Sequence, residues 1–255
     1  MVESLLIFRR YQCPGAAIQS TAVCGRYRLS RRAEILAAYD AEYEGVDWDA
    51  RYNIALTQNV PVVRQDVKEP IRRASLVRWG LIPSWAKDGT IGARMINARS
   101  ETAAEKPTFK ECLEHRRCLI PADGFYEWVR YGKSKQPYCF ELTERKPFAF
   151  AGLWDRWRAP DGTHLETCTI LTTTPNQLLA DVHNRMPVIL SPESYDLWLD
   201  PGFRDVVTAT EMLRPFDAKR MRRYPVSERV NNVANDDPSC AEPTESLPPL
   251  QAGLF

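Results

Sequence analysis

The sequence is short of the features that most readily betray a function. It has three histidines, and none of its seven cysteines (Cys13, Cys24, Cys112, Cys118, Cys139, Cys168 and Cys240) forms a CxxC pair. That is poor material for a zinc site, and no metal or other cofactor is expected. An odd number of cysteines without a secretory leader points to reduced thiols in a cytoplasmic protein. The apolar run Ser4-Leu5-Leu6-Ile7-Phe8 is too short for a leader core, and Arg9-Arg10 follow it instead of preceding it. No segment reaches the length of a membrane span. Charge of one sign is also lacking. A net charge of +1 excludes a uniformly basic polyanion binder, so any nucleic-acid surface must be a local patch.

What is present is an ordinary globular composition, 44% apolar and 26% charged over 255 residues, enough for one substantial core. The 19 prolines and 12 glycines suggest a loop-rich fold. Residues 1–23 carry no periodic pattern. Ser30 is placed to cap a helix over 31–43, with Ile35, Leu36 and Tyr39 on one face. Short runs rich in aromatic and β-branched residues predict strands over 59–63, 74–81, 118–120, 125–130, 138–142, 148–154 and 167–173. Turn residues such as Tyr131-Gly132 and Asp161-Gly162 separate them. Thr108 and Glu111 have capping-box spacing for a short helix. Residues 177–182 predict another, residues 187–190 are extended, and Ser191-Pro192 opens a third helix. Strands outnumber long helices and no βαβ alternation is visible. The expected class is α+β, with a mainly antiparallel, barrel-like β-sheet and peripheral helices. One domain over 24–243 is expected, with a flexible tail over 244–255.

Four polar residues stand in unusual company. Cys24 is followed by Gly25-Arg26, Asn97 lies between Ile96 and Ala98-Arg99, Glu127 sits within Phe125-Tyr126-Glu127-Trp128, and His183 precedes Asn184-Arg185-Met186-Pro187. Each also has an ordinary reading. A cysteine is most often a small buried hydrophobe, and a carboxylate among aromatics points outward from a strand whose alternate residues point in. A lone histidine or asparagine often satisfies a packing or turn role. Composition and spacing alone give an α+β protein with a candidate Cys/Glu/His site.

Taken in order, the motifs say more. Cys24-Gly25-Arg26-Tyr27, Arg51-Tyr52-Asn53-Ile54-Ala55, Arg78-Trp79-Gly80-Leu81-Ile82-Pro83-Ser84-Trp85-Ala86, Asn97-Ala98-Arg99-Ser100-Glu101-Thr102, Gly124-Phe125-Tyr126-Glu127-Trp128 and His183-Asn184-Arg185-Met186-Pro187 resemble one family throughout. It is the SOS response-associated peptidase (SRAP) family, the abasic-site processing proteins. Tyr224-Pro225-Val226-Ser227 and Val230-Asn231-Asn232 extend the resemblance.

The resemblance implies an N-terminal cysteine that offers both an α-amine and a thiol to the C1′ aldehyde of an abasic site in single-stranded DNA. The amine forms a Schiff base and the thiol closes it to a thiazolidine. An α-amine with a pKa of about 7.7–8.0 has a useful neutral fraction at neutral pH. By the same resemblance, Glu127 is the general acid–base, His183 its partner in proton transfer, and Asn97 a hydrogen-bonding group at the sugar. Arg26, Arg99 and Arg185 suit phosphates. Trp79, Trp85 and Trp128 suit stacking beside the lesion, with core packing an equal reading for Trp79. Asn53 and Met186 complete the expected DNA-binding set. Such a protein is expected to be monomeric, free of membranes, and nucleoid-associated when bound to DNA.

Cys24 departs from the family pattern because Val23 precedes it. A peptide-bonded nitrogen cannot form a Schiff base, so residues 1–23 are expected either to lie upstream of a true start at Val23 or to be removed by proteolysis. Leu56 stands where the family usually has proline. Two rival readings remain: a thiol peptidase using Cys24, His183 and Glu127, and a non-catalytic single-strand-binding module.

Overall fold

The strand-forming segments build two sheets that share one core. The computed structural model describes residues 24–43, 48–132 and 134–245. The expected extension over 1–23, and the tail beyond residue 245, lie outside the described residues. The chain opens with β1 (Arg26–Leu29), α1 (Arg32–Ala38), β2 (Ala41–Glu42), β3 (Arg51–Ala55), β4 (Asn59–Gln65) and β5 (Arg72–Trp79). It continues through β6 (Asn97–Arg99), α2 (Ser100–Ala103), α3 (Pro107–His115), β7 (Arg117–Ala122), β8 (Gly124–Tyr131) and β9 (Ser134–Leu142). Two long strands follow, β10 (Phe148–Arg158) and β11 (His164–Thr173), then the short β12 (Met186–Pro187) and β13 (Ile189–Leu190). The last elements are α4 (Tyr195–Leu199), α5 (Val206–Glu211) and β14 (Met221–Pro225).

The fold is α+β, as expected. Strands β11-β10-β7-β4-β5 follow one another by antiparallel pairing, and β5 then meets β11 in parallel at Thr167↔Arg78 and Cys168↔Trp79, closing a five-stranded barrel. Closure explains why every residue of β7 is buried: one face fills the barrel and the other lies under α3 and α4. β5 is only partly covered: it buries Ala74, Val77 and Trp79 and leaves Arg73 and Leu76 exposed.

The second sheet, β14-β9-β8-β1-β3, is antiparallel throughout. Its inner face reaches the barrel through aromatic side chains. Tyr27 sits 5.3 Å from Trp79 and 5.7 Å from Phe150, and Phe125 stacks on Phe140 at 5.2 Å. Its outer face carries Tyr126 and Cys139, covered by Val226, Val230 and Cys240 of the C-terminal segment. Because side chains alternate along a strand, β8 sends Phe125 into the main core and Tyr126 into this smaller one.

Several helix boundaries differ from expectation. Ser30 does not cap α1 with its own side chain. Asp123, from the β7–β8 corner, accepts from the Ser30 and Arg31 N–H groups at 2.6 and 2.8 Å instead. The helix stops at Ala38, and Asp40 takes a left-handed turn (φ +46°) that sends the chain into β2. The capping box at Thr108 is not formed, because Pro107 already occupies the first helical turn. Residues 177–182 form successive turns, with Leu179, Ala180, Val182 and His183 all hydrogen-bonded locally. Pro192 opens a 3-10 turn, and α4 follows only at Tyr195.

Gly152 shows how tightly the barrel is filled. A Cβ there would stand 2.8 Å from the Cys118 Sγ and from two carbons of Ile120. Gly152→Ala is therefore expected to cost about 1–3 kcal/mol by overpacking, read from the urea midpoint. An unchanged midpoint would show that the barrel wall yields more easily than this packing implies.

Candidate active site

Cys24 stands immediately before β1, fully buried, in a left-handed conformation (φ +46°) that a side chain rarely adopts. The β1–β8 register, Tyr27↔Phe125 and Arg28↔Gly124, carries this end of β1 alongside Glu127. The Cys24 N–H donates to Glu127 Oε1 at 2.6 Å. Glu127 is itself only 3% exposed. Burial pushes its carboxyl up to about 8, against the smaller opposing pull of the Cys24 N–H. Burial, and then the charge of Glu127, hold the Cys24 thiol well above its ordinary value. The pair at neutral pH is thus a protonated carboxyl beside a protonated thiol, not a thiolate beside a carboxylate.

Outward from this pair lies a groove lined by Gly25, Arg26, Leu56, Glu127, Trp128, Arg130 and Lys135. The C-terminal segment fixes its walls. Arg26 Nη1 donates to Asn53 Oδ1 at 2.8 Å and to the Val230 carbonyl at 2.7 Å. The Trp128 indole N–H donates to Asn231 Oδ1 at 2.6 Å. Asn53 spends its amide nitrogen on the carbonyls of Val230, Asn232 and Asn235. Asp236 accepts from the N–H groups of Tyr52 and Asn53, capping the outer edge of β3.

A second group gathers around the C-terminal end of β11. β6 runs parallel to β11 with Ile170↔Asn97 and Thr172↔Arg99 in register, which places Asn97 half-buried and Arg99 exposed. Arg185 forks onto both oxygens of Glu101 at 2.6 and 2.8 Å and also reaches the Thr172 carbonyl. His183 is 2% exposed, and its Nδ1 accepts the Arg185 N–H at 3.1 Å. That bond places the neutral ring's proton on Nε2, a buried atom without a partner among the described residues. Burial lowers the imidazole pKa, and the Arg185 charge pushes the same way. His183 is therefore a neutral donor near neutral pH.

Trp79 joins the two groups. Its indole N–H donates to the carbonyl of Ile96, next to Asn97, at 2.9 Å, and its ring packs on Tyr27, three residues beyond Cys24. Trp79 has no exposed surface and braces the halves of the site, in keeping with the packing role weighed for it beside base stacking. Asn53 and Met186 are enclosed as well. Asn53 is fully buried, and its hydrogen bonds are consumed within the protein. Met186 is fully buried, and its sulfur accepts the Asn176 N–H. Trp85, by contrast, is 61% exposed on a loop pinned by Ser84 N–H to Asp155 and by the Trp157 indole to the Ala86 carbonyl. Sequence reasoning did not single out Glu101, Arg130, Lys135 or Asn231 for the site. Glu101 and Asn231 lie inside motifs that carry the family resemblance, whereas Arg130 and Lys135, either side of the Tyr131-Gly132 turn, carry no such signal.

The profile of the family described as SOS response associated peptidase (SRAP) matches residues 23–233. The chain belongs to this family. It is 44% identical to the abasic site processing protein YoqW of Bacillus subtilis (strain 168), over 86% of this chain and 99% of that one. It is 35% identical to the abasic site processing protein HMCES of Gallus gallus, over 91% of this chain and 76% of that one. A crystal structure of a protein from Bacteroides thetaiotaomicron superposes with a TM-score of 0.76 at 27% identity, covering 87% of this chain and all of the other. Among the described residues no cluster of three or more His, Cys, Asp or Glu is arranged to hold a metal ion. No described helix is long and apolar enough to cross a membrane.

The raised Glu127 value has a measurable consequence for stability. In the unfolded chain the carboxyl ionises near 4.5, and in the folded protein only near 8. Its contribution is therefore fully present below the unfolded value and is lost as pH rises through the folded one. Glu127→Gln keeps an acceptor for the Cys24 N–H and removes the titration. Urea denaturation of the full chain is expected to show wild type and variant alike near about pH 5. By about pH 9 the variant should be ahead by on the order of 5 kcal/mol. Parallel stability curves would contradict the buried, protonated carboxyl.

Proposed function

We propose that this protein recognises abasic sites in single-stranded DNA and bonds to them through Cys24 once that residue is N-terminal. The observation that carries the reading is the Glu127 oxygen 2.6 Å from the Cys24 nitrogen. In this reading residues 1–23 are absent from the working protein, a single domain spans 24–243, and 244–255 form a tail. The relatives' names, abasic site processing proteins, point to the same lesion.

With a free α-amine at Cys24, amine and carboxyl form a coupled pair. Burial disfavours the ammonium–carboxylate form and favours the neutral amine beside a protonated carboxyl, which is the state that attacks an aldehyde. The amine nitrogen adds to C1′ of the ring-opened sugar. Glu127 gives its proton to the hydroxyl that leaves as water, and a Schiff base results. The Cys24 sulfur then adds to the same carbon and its proton passes to the nitrogen. The balance is aldehyde plus aminothiol giving thiazolidine plus one water. His183, a neutral Nε2–H donor, assists proton transfer at the sugar oxygen, and the Asn97 amide orients the sugar by hydrogen bonding. Trp128 and Trp85 offer faces to neighbouring bases, and Arg26, Arg99 and Arg185 offer charge to phosphates. A thiol peptidase is less well supported, because a buried protonated thiol is not the nucleophile such an enzyme needs.

The test compares residues 1–255 with Met followed by residues 24–255, each mixed with single-stranded DNA carrying one abasic site and run on a denaturing gel. The shorter protein is expected to give a heat-stable shifted band that Cys24→Ala abolishes. The full-length protein should give it only after losing residues 1–23, as mass spectrometry of its N-terminus would record. Absence of the band with both versions would refute the covalent reading.

A further inference from the structure

The outer end of the β8–β9 hairpin carries a charge arrangement that nothing among the described residues neutralises. Arg130 and Lys135 stand directly opposite each other across the two strands, both exposed. Like charges in that position repel and destabilise a sheet. Several arginines elsewhere are paired with carboxylates: Arg64 and Arg156 with Glu166, Arg185 with Glu101, Arg222 with Glu141, Arg223 with Asp181. Arg130 and Lys135 meet no carboxylate among the described residues. Solubility alone would be served by cations set apart, without the repulsion.

Their placement supplies a reason. Alternation puts Tyr126, Trp128 and Arg130 on one face of β8, opposite Cys139, Pro137 and Lys135 of β9. The C-terminal segment covers Tyr126 and Cys139, and its last hold on this face is the Asn231 amide on the Trp128 indole. Beyond that point the face is open. It presents a half-buried indole and then, about 7 Å further along the strand, two unopposed cations. All three line the groove into which Glu127 opens. An aromatic platform followed by unpaired cations is the pattern that holds single-stranded nucleic acid by base stacking and backbone charge.

We propose that Arg130 and Lys135 bind the phosphates of the DNA strand as it runs along the β8–β9 hairpin past Trp128 and Glu127. The proposal rests on the abasic-DNA reading and names the strand's path through that site. The like-charge pair, unfavourable in the free protein, is relieved when the phosphodiester arrives.

The test is reversible binding of the chain beginning at Cys24 to single-stranded DNA containing a tetrahydrofuran abasic analogue, which has no aldehyde and cannot be bonded. Kd is measured against salt for the unaltered protein, for Arg130→Gln/Lys135→Gln, and for a control, Lys68→Gln/Lys146→Gln, at exposed cations outside the groove. Each phosphate contact on a single strand contributes about 0.7 to the slope of log Kd against log salt. The hairpin variant should therefore lose about 1.4 from that slope, while the control keeps it. The variant's thermal midpoint should not fall, because a repulsion has been removed. A hairpin variant with the full slope would overturn this proposal and leave the abasic reading standing. An unaltered chain that shows no salt-dependent binding would overturn both.

Discussion

The site depends on a carboxyl group taken out of water. Glu127 is buried on β8, with the start of β1 folded over it and the Cys24 N–H on its oxygen. Burying a carboxylate without a cation is costly, and among the described residues no guanidinium pairs with it. Arg26, the nearest arginine in sequence to Cys24, is turned away onto Asn53 and the Val230 carbonyl. The result is a carboxyl that keeps its proton to about 8, next to a nitrogen. Had Arg26 paired with Glu127, the carboxyl would ionise early and could neither donate a proton nor tolerate a neutral amine beside it.

Much of the remaining structure serves to hold that arrangement. Trp79 braces the barrel against β1 and ties the Ile96–Asn97 backbone to the same core. Asn53 and Asp236 fasten the C-terminal segment over the second sheet, and that segment in turn sets Arg26 and Trp128 at the groove. Glu101 fixes the Arg185 fork, and the Arg185 N–H fixes the tautomer of His183. Reactive groups that must meet a substrate within a few tenths of an ångström need supports of this kind.

The α+β class and most strands were legible because period-2 alternation and turn residues are local signals. The barrel's closure was not: the parallel contact of β5 with β11 joins residues about ninety positions apart, and no local pattern reports it. The four central residues stood out by their surroundings and by the family resemblance. The burial of Trp79, Asn53 and Met186 was not legible, because a motif shows that a residue matters without showing whether it faces a ligand or the core. Arg130 and Lys135 were missed for a complementary reason. Their significance lies in the cross-strand register, and two cations near a turn look like ordinary surface until that register is known.

The central claim is that one residue supplies both bonds to the lesion. It is tested most directly by digesting the protein–DNA adduct of a chain beginning at Cys24 and mapping the modified peptide by mass spectrometry after treatment with a thiol alkylating agent. The account predicts that the sugar remnant resides on the Cys24 peptide, with one water lost and neither a free α-amine nor an alkylated Cys24 thiol. A remnant on a lysine, or on Cys24 with its α-amine free, would contradict it.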